Sequence, residues 1–343
     1  MIKVEFHNRE KELKRLMKIA EFEPHTIYFI FGPINSGKTA LIQEFIRRLG
    51  KNYVVFYVNL RGKFITDYQD FTRILFKFEK KKREDIVKEI LKTTTRFLST
   101  RGIPVSEGTI DLILAKRKTE DVFEFIEEYI SDIAKEKKPI FILDELQVIK
   151  DIEIDGKLIY KLFNLFVRLT KELHICHVFC LTSDSLFVER IYSEAMLQGR
   201  ADYMLVDDFD YETTVGFLRK YSFDDEEIDL VWSYFGGKPV YLIKAIENKD
   251  ILKEFCEDSL EVRYGQILDG LYKLKKRDEK TFKLVLDLFE TIKEDGVKYK
   301  NLNDALEWCI DKNILFANPI KRVVKPQSKL EYLAIKKVLD DLN

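Results

Sequence analysis

A chain of 343 residues with 46% hydrophobic residues can bury more than one core, because a single core rarely grows past about 250 residues. Its 58 basic and 59 acidic side chains leave a net charge of −1, which excludes a global pull toward nucleic acid or membrane and leaves partner choice to local patches. Four cysteines in this length make no disulfide framework, and no stretch approaches the roughly 18 apolar residues of a membrane span. The N-terminus, MIKVEFHNREKELKRL, carries charges where a signal peptide needs its apolar segment, so a cytoplasmic location is expected. A charged fraction of 34% with only four His and four Met resembles a thermophile's composition, which bears on stability.

Residues 4–20 read as an amphipathic helix with Asn8 at its N-cap. Thr26-Ile27-Tyr28-Phe29-Ile30 reads as a buried strand. One residue later comes Gly32-Pro33-Ile34-Asn35-Ser36-Gly37-Lys38-Thr39, which fits GxxxxGK[ST], and an amphipathic helix follows. With only 14 glycines in the chain, this close pair is not background. Glycines there let the backbone from Gly32 to Ala40 fold so that its N–H groups converge on phosphates, where a side chain would block the approach. Lys38 is expected to reach the β- and γ-phosphates of ATP or the β-phosphate of ADP, and Thr39 to offer its hydroxyl to Mg²⁺. The helix N-terminus adds its partial positive charge.

The region from about 61 to 135 reads as mostly helical, with a loop at Arg101-Gly102-Ile103-Pro104 and a highly charged segment at 76–92 that suits a solvated helix face. Pro139-Ile140-Phe141-Ile142-Leu143-Asp144-Glu145 is a short apolar run ending in two carboxylates, the pattern of a buried parallel strand that opens on a ligand crevice. Asp144 is expected to hold the Mg²⁺ shell and Glu145 to polarise the attacking water, the two parts phosphoryl transfer to water requires.

The stretch HICHVFC holds Cys176, His177 and Cys180. It alternates like a strand, so its cysteines read as small core hydrophobes and not as zinc ligands, which usually stand on turns. The strand ends at Thr182-Ser183, whose hydroxyls are placed to bond the γ-phosphate or its water. Gln198-Gly199-Arg200 precedes another strand at Tyr203–Val206. Arg200 there is expected to complete a neighbouring copy's site, or else to form a surface salt bridge.

Asp208-Phe209-Asp210 opens a helical stretch through about residue 268. Within it, Gly236-Gly237-Lys238-Pro239 reads as a helix stop followed by a new helix with proline near its start. From about 269 the order is helix, helix, a hairpin-like ILFANPIKRVVKP and a final helix, which resembles a winged helix.

The order of phosphate loop, DE-ending strand, hydroxyl-ending strand and Gly-Arg resembles the AAA+ and STAND P-loop NTPases, and most closely the archaeal ATPase family related to the origin-recognition initiators. Phe6-His7-Asn8-Arg9-Glu10-Lys11-Glu12-Leu13 is similar to that family's F-x-x-R-E-x-E-L motif, and Phe235-Gly236-Gly237-Lys238-Pro239-Val240-Tyr241-Leu242 to its GG-x-P-x-x-L lid motif. The resemblance implies that Phe6 and Arg9 lie beside the adenine and that Pro239 packs near the base. It also implies an α/β P-loop parallel sheet over residues 1–207, a helical lid over 208–268 and a winged-helix domain over 269–343. In one departure, the lid carries Lys238 and has no sensor arginine beside Pro239.

The C-terminal unit divides by charge. Ile320 to Lys329 holds Lys321, Arg322, Lys325 and Lys329 and no acid, whereas Asn301 to Asp311 holds Asp304, Glu307 and Asp311 and no base. A helix entering a groove of DNA should not be acidic, so the basic wing alone is a candidate contact to duplex DNA and a protein partner is the stronger expectation. Three functions follow: a slow ATP-hydrolysing switch whose nucleotide moves the C-terminal domain, an initiator-like or mobile-element DNA-binding ATPase, and a small-molecule kinase. The kinase is disfavoured because Glu145 beside Asp144 favours water as acceptor. Homo-oligomers enter through Arg200.

Overall fold

The computed structural model describes residues 4–79, 82–92, 99–106, 119–150, 152, 158–193 and 197–342. Strands β1 (Ile27–Phe31), β2 (Tyr53–Asn59), β3 (Phe76–Glu79), β4 (Ser99–Arg101), β5 (Ile103–Ser106), β6 (Lys138–Asp144), β7 (His177–Thr182) and β8 (Ala201–Leu205) alternate with helices. Six of them form one sheet in the order β4-β2-β6-β7-β1-β8, with all its pairings parallel. Parallel neighbours cannot be joined by tight turns, so helices cross over both faces and bury them. That is why β1 and β7 are buried at every position, and why Val178–Leu181 between the polar ends of β7 is apolar without interruption.

The period of two along β1 sorts its side chains between two cores. Tyr28 and Ile30 pack with Leu41 and Phe45 of the helix Lys38–Arg48, whereas Ile27 and Phe29 pack with Phe163 and Phe166 of the helix Leu158–Val167. Cys176 and Cys180 join the second core as free thiols, and burial pushes both thiols up.

His177 begins β7 inside the protein, 2% exposed, and its Nε2–H donates to the Phe22 carbonyl at 3.1 Å. Burial pushes its pKa down to about 4. The native state therefore binds fewer protons than the unfolded chain once pH falls below the ordinary value of 6.5. Its contribution is complete above pH 6.5 and is lost as pH falls toward 4, with about 2 kcal/mol gone by pH 5. Denaturant unfolding at pH 7 and pH 5 should show that loss in the wild type and much less of it in His177→Phe. An identical pH dependence in both proteins would exclude His177 as its source.

Three local expectations change. The first helix is Glu10–Glu21, and Asn8 does not cap it: Asn8 and Arg9 both hold positive φ, and the Asn8 amide donates to the Thr213 hydroxyl at 2.6 Å. Those tertiary bonds outcompete the helical turn. The expected loop at 101–104 is the junction of two strands, because Gly102 (φ 93°) lies so close to the chain that a Cβ there would stand 2.9 Å from the Leu75 carbonyl. Phe76–Glu79 alternates with a period of two and pairs with β5 instead of continuing a helix; of the charged segment, Arg83–Lys92 is helical and residues 80 and 81 lie outside the described residues.

Beyond the sheet, Tyr211–Arg219, Asp225–Phe235 and Pro239–Glu247 enclose a core of Phe217, Leu218, Val231, Phe235 and Leu242. The 26-residue helix Leu252–Arg277 runs straight through the expected boundary at residue 268. Its first part, Leu252 and Cys256, belongs to that core; its later part, Ile267, Leu271 and Leu274, belongs to a C-terminal one. The C-terminal segment continues with Glu279–Thr291, β9 (Val297–Lys298), Asp304–Asp311, β10 (Leu315–Asn318), β11 (Val323–Pro326) and Lys329–Leu342, its strands forming an antiparallel sheet in the order β10-β11-β9. This segment folds back onto the first sheet. Phe316 stacks on Phe31 with ring centroids 6.3 Å apart, and the Ala317 N–H donates to the Ser185 hydroxyl at 3.2 Å. Among the described residues no helix is long and apolar enough to cross a membrane.

Candidate nucleotide site

Strand register brings the chemistry together. Phe31 aligns with Thr182 and Asn59 with Asp144, so the ends of β1, β2, β6 and β7 meet along one edge of the sheet. The phosphate loop leaves β1 there. At Gly32 a Cβ would stand 2.1 Å from the Val206 carbonyl, so no larger residue fits between the loop and the end of β8. Gly37, at φ 90°, turns the chain into Lys38–Arg48, whose N-terminus has no side-chain cap and no acid in its first turn. The first N–H groups of that helix, near Lys38, Thr39 and Ala40, thus have no side-chain acceptor of their own, the condition under which a helix start takes an anion.

Lys38 folds over the loop, donating to the carbonyls of Gly32 and Pro33 at 3.0 and 2.8 Å. Burial and the nearby Lys238 ammonium push it down to about 8. Two ammonium groups held this close favour an anion between or beside them. Thr39 donates to Asp144 Oδ2 at 3.0 Å, so a hydroxyl and a carboxylate converge beside the loop. Oxygen donors of this kind are what a hard cation such as Mg²⁺ takes. Tyr57 also donates to Asp144 Oδ2, at 2.7 Å, and Asn59 does so at 3.3 Å. Burial raises the Asp144 carboxyl, and the Tyr57 and Thr39 hydroxyls oppose that.

Glu145 follows in a left-handed conformation, φ 62°. Arg61 Nε donates to its Oε1 at 3.0 Å and Gln147 Nε2 to its Oε2 at 2.6 Å. Thr182, and not Ser183, joins this network: its hydroxyl donates to Gln147 Oε1 at 2.7 Å. Ser183 instead lines a cavity of about 460 Å³ with Ile34, Asn35, Glu145 and Gln147. The far wall of that cavity is Asp311, Asn313 and Gln327 from the C-terminal segment.

The remaining expected residues divide. Arg9 reaches the loop, with its guanidinium donating to the carbonyls of Ser36 at 2.9 Å and Asp207 at 2.5 Å and lying 4.7 Å from the Phe209 ring centroid. Phe6 packs partly buried against the adjacent core. Pro239 is the first residue of its helix, and Gly237 packs so tightly that a Cβ would stand 1.8 Å from the Phe209 carbonyl. Lys238 is 2% exposed, pairs with Asp208 at 3.0 Å and donates to the Ile34 carbonyl at 3.1 Å. Arg200 is not brought to this site. It precedes β8 at the opposite end of the sheet, where its carbonyl accepts from Ile27, roughly 15 Å of strand away.

Sequence reading missed Tyr57, Asn59, Arg61, Gln147 and Gln327, and gave Lys238 no contact to the phosphate loop. Tyr57 and Asn59 end an apolar run in polar groups, the same signal that marked Asp144. Gln327 carried no local signal, since only the return of the C-terminal segment puts its side chain on the loop: Ile34 N–H donates to Gln327 Oε1 at 3.1 Å.

Residues 6–245 match the ATPase domain found predominantly in Archaea. The chain belongs to the archaeal ATPase family. Residues 253–339 match the C-terminal domain of the uncharacterized MJ1010-like ATP-binding proteins. An uncharacterized ATP-binding protein of Pyrococcus abyssi is 48% identical over 338 residues, covering 98% of this chain and 99% of the relative. Another, of Methanocaldococcus jannaschii, is 48% identical over 358 residues, covering 99% of this chain and 98% of the relative. A solved Walker-type ATPase of Pyrococcus abyssi shares the fold, with a TM-score of 0.66, 17% identity and 96% of each chain covered. This archaeal ATPase is accordingly an ATP-binding protein of the P-loop type.

Proposed function

We propose that this archaeal ATPase hydrolyses ATP as a switch, with the nucleotide at the phosphate loop read by the lid and by the C-terminal domain together. One observation carries the reading. Both polar groups of Ile34 are taken by other parts of the chain: its N–H by Gln327 of the C-terminal segment and its carbonyl by Lys238 of the lid. A phosphate group that moves the loop must therefore break or strengthen contacts in both, which is the differential interaction a switch requires. Next to the loop, adjacent aspartates extend the coupling, with Asp207 binding Lys325 through both oxygens at 2.8 Å and Asp208 binding Lys238.

In this reading residues 1–207 form the ATPase core, the helices after Asp208 the lid, and the last part of the chain a winged helix of helix, strand, helix, hairpin and helix. Thr39 and Asp144 hold Mg²⁺, which supplies charge neutralisation on the phosphates. Lys38 binds the phosphates and Glu145 orients water. Ser183, on the cavity wall, is placed for the γ-phosphate side. Arg200 contributes only if a second copy presents it.

Amide hydrogen exchange tests the coupling. ATP is expected to change protection across 315–327 in the wild type, and Gln327→Ala is expected to abolish that change while ATP still binds. Identical protection with and without ATP would sink the proposal. The duplex-DNA reading has less support, because Lys325 pairs with Asp207, Lys329 with Glu294 at 3.1 Å and Arg322 with Glu189 at 3.5 Å, which leaves Lys321 exposed on the turn.

A further inference from the structure

We infer that Gln147 is the positioning residue of the hydrolytic carboxylate, fixing Glu145 to the end of β7 through Thr182. The inference rests on the hydrolysis reading above and assigns a part in it to a residue outside the phosphate loop and the carboxylate pair.

The hydrogen bonds run in one direction. The Asp184 N–H donates to Thr182 Oγ1 at 3.1 Å, the Thr182 hydroxyl to Gln147 Oε1 at 2.7 Å, and Gln147 Nε2 to Glu145 Oε2 at 2.6 Å. A carboxylate only accepts, so the amide must present its nitrogen to Glu145 and its oxygen to Thr182; the reverse orientation would set oxygen against oxygen. The amide therefore has one productive orientation. Its anchor is rigid, since Thr182 is 1% exposed at the end of a fully buried central strand. Gln147 itself stands on the short 3-10 turn Leu146–Ile149, which follows Glu145 directly.

Glu145 needs such a support. Its φ of 62° is uncommon for a residue with a side chain. The other partner, Arg61, is a guanidinium on a side chain 70% exposed, a contact that solvent and salt weaken. Gln147 is then the fixed partner and Arg61 the solvent-exposed one. In the reaction the water oxygen bonds to the γ-phosphorus as the bond to the bridging oxygen breaks, and that electron pair leaves with ADP. Glu145 accepts the water proton and later passes it to solvent or phosphate. Gln147 takes no proton; it holds the accepting oxygen still.

The test measures steady-state hydrolysis and ATP affinity of the full chain for Gln147→Ala, Gln147→Glu and Thr182→Val, the first two also in a Glu145→Gln background. The expected result is a kcat lowered on the order of tenfold to a hundredfold by Gln147→Ala, with Kd for ATP within about twofold of wild type. Gln147→Glu keeps the shape but sets an acceptor against a carboxylate, so it should lose at least as much. In the Glu145→Gln background neither change should lower the residual rate further, because the group being positioned is gone. Wild-type kcat in Gln147→Glu, or an undiminished loss on top of Glu145→Gln, would overturn the assignment. Should Gln147→Ala fail to fold, the near-isosteric Gln147→Glu and Thr182→Val decide by the same criteria. A wild type that binds ATP without turning it over removes the hydrolysis reading itself, whereas a wild type that hydrolyses as fast as its Gln147 variants removes only this inference.

Discussion

Lys38→Ala is expected to weaken ATP binding roughly 30- to 1,000-fold, the equivalent of about 2–4 kcal/mol for removing one partner of a desolvated charge pair. The size follows from where Lys38 lies. Its ammonium is buried at the loop, borrows two carbonyls as partners and is pushed down to about 8 by burial and by Lys238. A phosphate relieves that strain by supplying the opposite charge, so most of the interaction is gained on binding and little of it exists before. Isothermal titration of wild type and variant with ATP measures the loss directly. Thermal unfolding separates it from misfolding: the variant should melt near the wild-type temperature without ATP and gain little when ATP is added. Equal affinity in the two proteins would mean that the ammonium does not touch the phosphates.

Glu145→Gln is expected to keep ATP affinity within a few fold and to slow hydrolysis on the order of a hundredfold to ten-thousandfold, the usual worth of a positioned base. The glutamine keeps the size and can still accept from one of its two donors, Gln147 Nε2 or Arg61 Nε, but sets its NH2 against the other and cannot take a proton from water. It also removes the charge opposite the Arg61 guanidinium, which is exposed enough to be solvated on its own. Single-turnover release of phosphate from prebound ATP isolates the chemical step from product release. Turnover at the wild-type rate would strip Glu145 of its role and direct attention to another carboxylate at the cavity, of which Asp184 and Asp311 are the nearest candidates on its wall.

Much of this was legible before any coordinates. GxxxxGK[ST] after an apolar run and an apolar run ending in two carboxylates are local patterns whose meaning is set by backbone geometry, and both sit where the sequence puts them. Glycine at 32 answers a steric demand, since a Cβ would meet the Val206 carbonyl, and glycine at 37 a conformational one, its φ of 90°. The C-terminal order of helices and hairpin was equally readable, because its periodicities are local. Where reading failed, a distant partner had won over a local preference: Asn8 left its capping role for Thr213, and Phe76–Glu79 left a helical neighbourhood for β5.

The sequence by itself determined the glycine-rich loop at residues 32–39 between a buried strand and a helix, the strand that ends in two carboxylates and the helices that follow the sheet. Only the tertiary structure decided who else touches that loop. Ile34 meets Gln327 across 293 positions of chain and Lys238 across 204, and Thr182 meets Gln147 across 35. Composition and periodicity report on neighbours a few residues apart, since they arise from helix and strand repeats. A single hydrogen bond between distant side chains leaves no such repeat, and it exists only because packed cores bring their ends to one place.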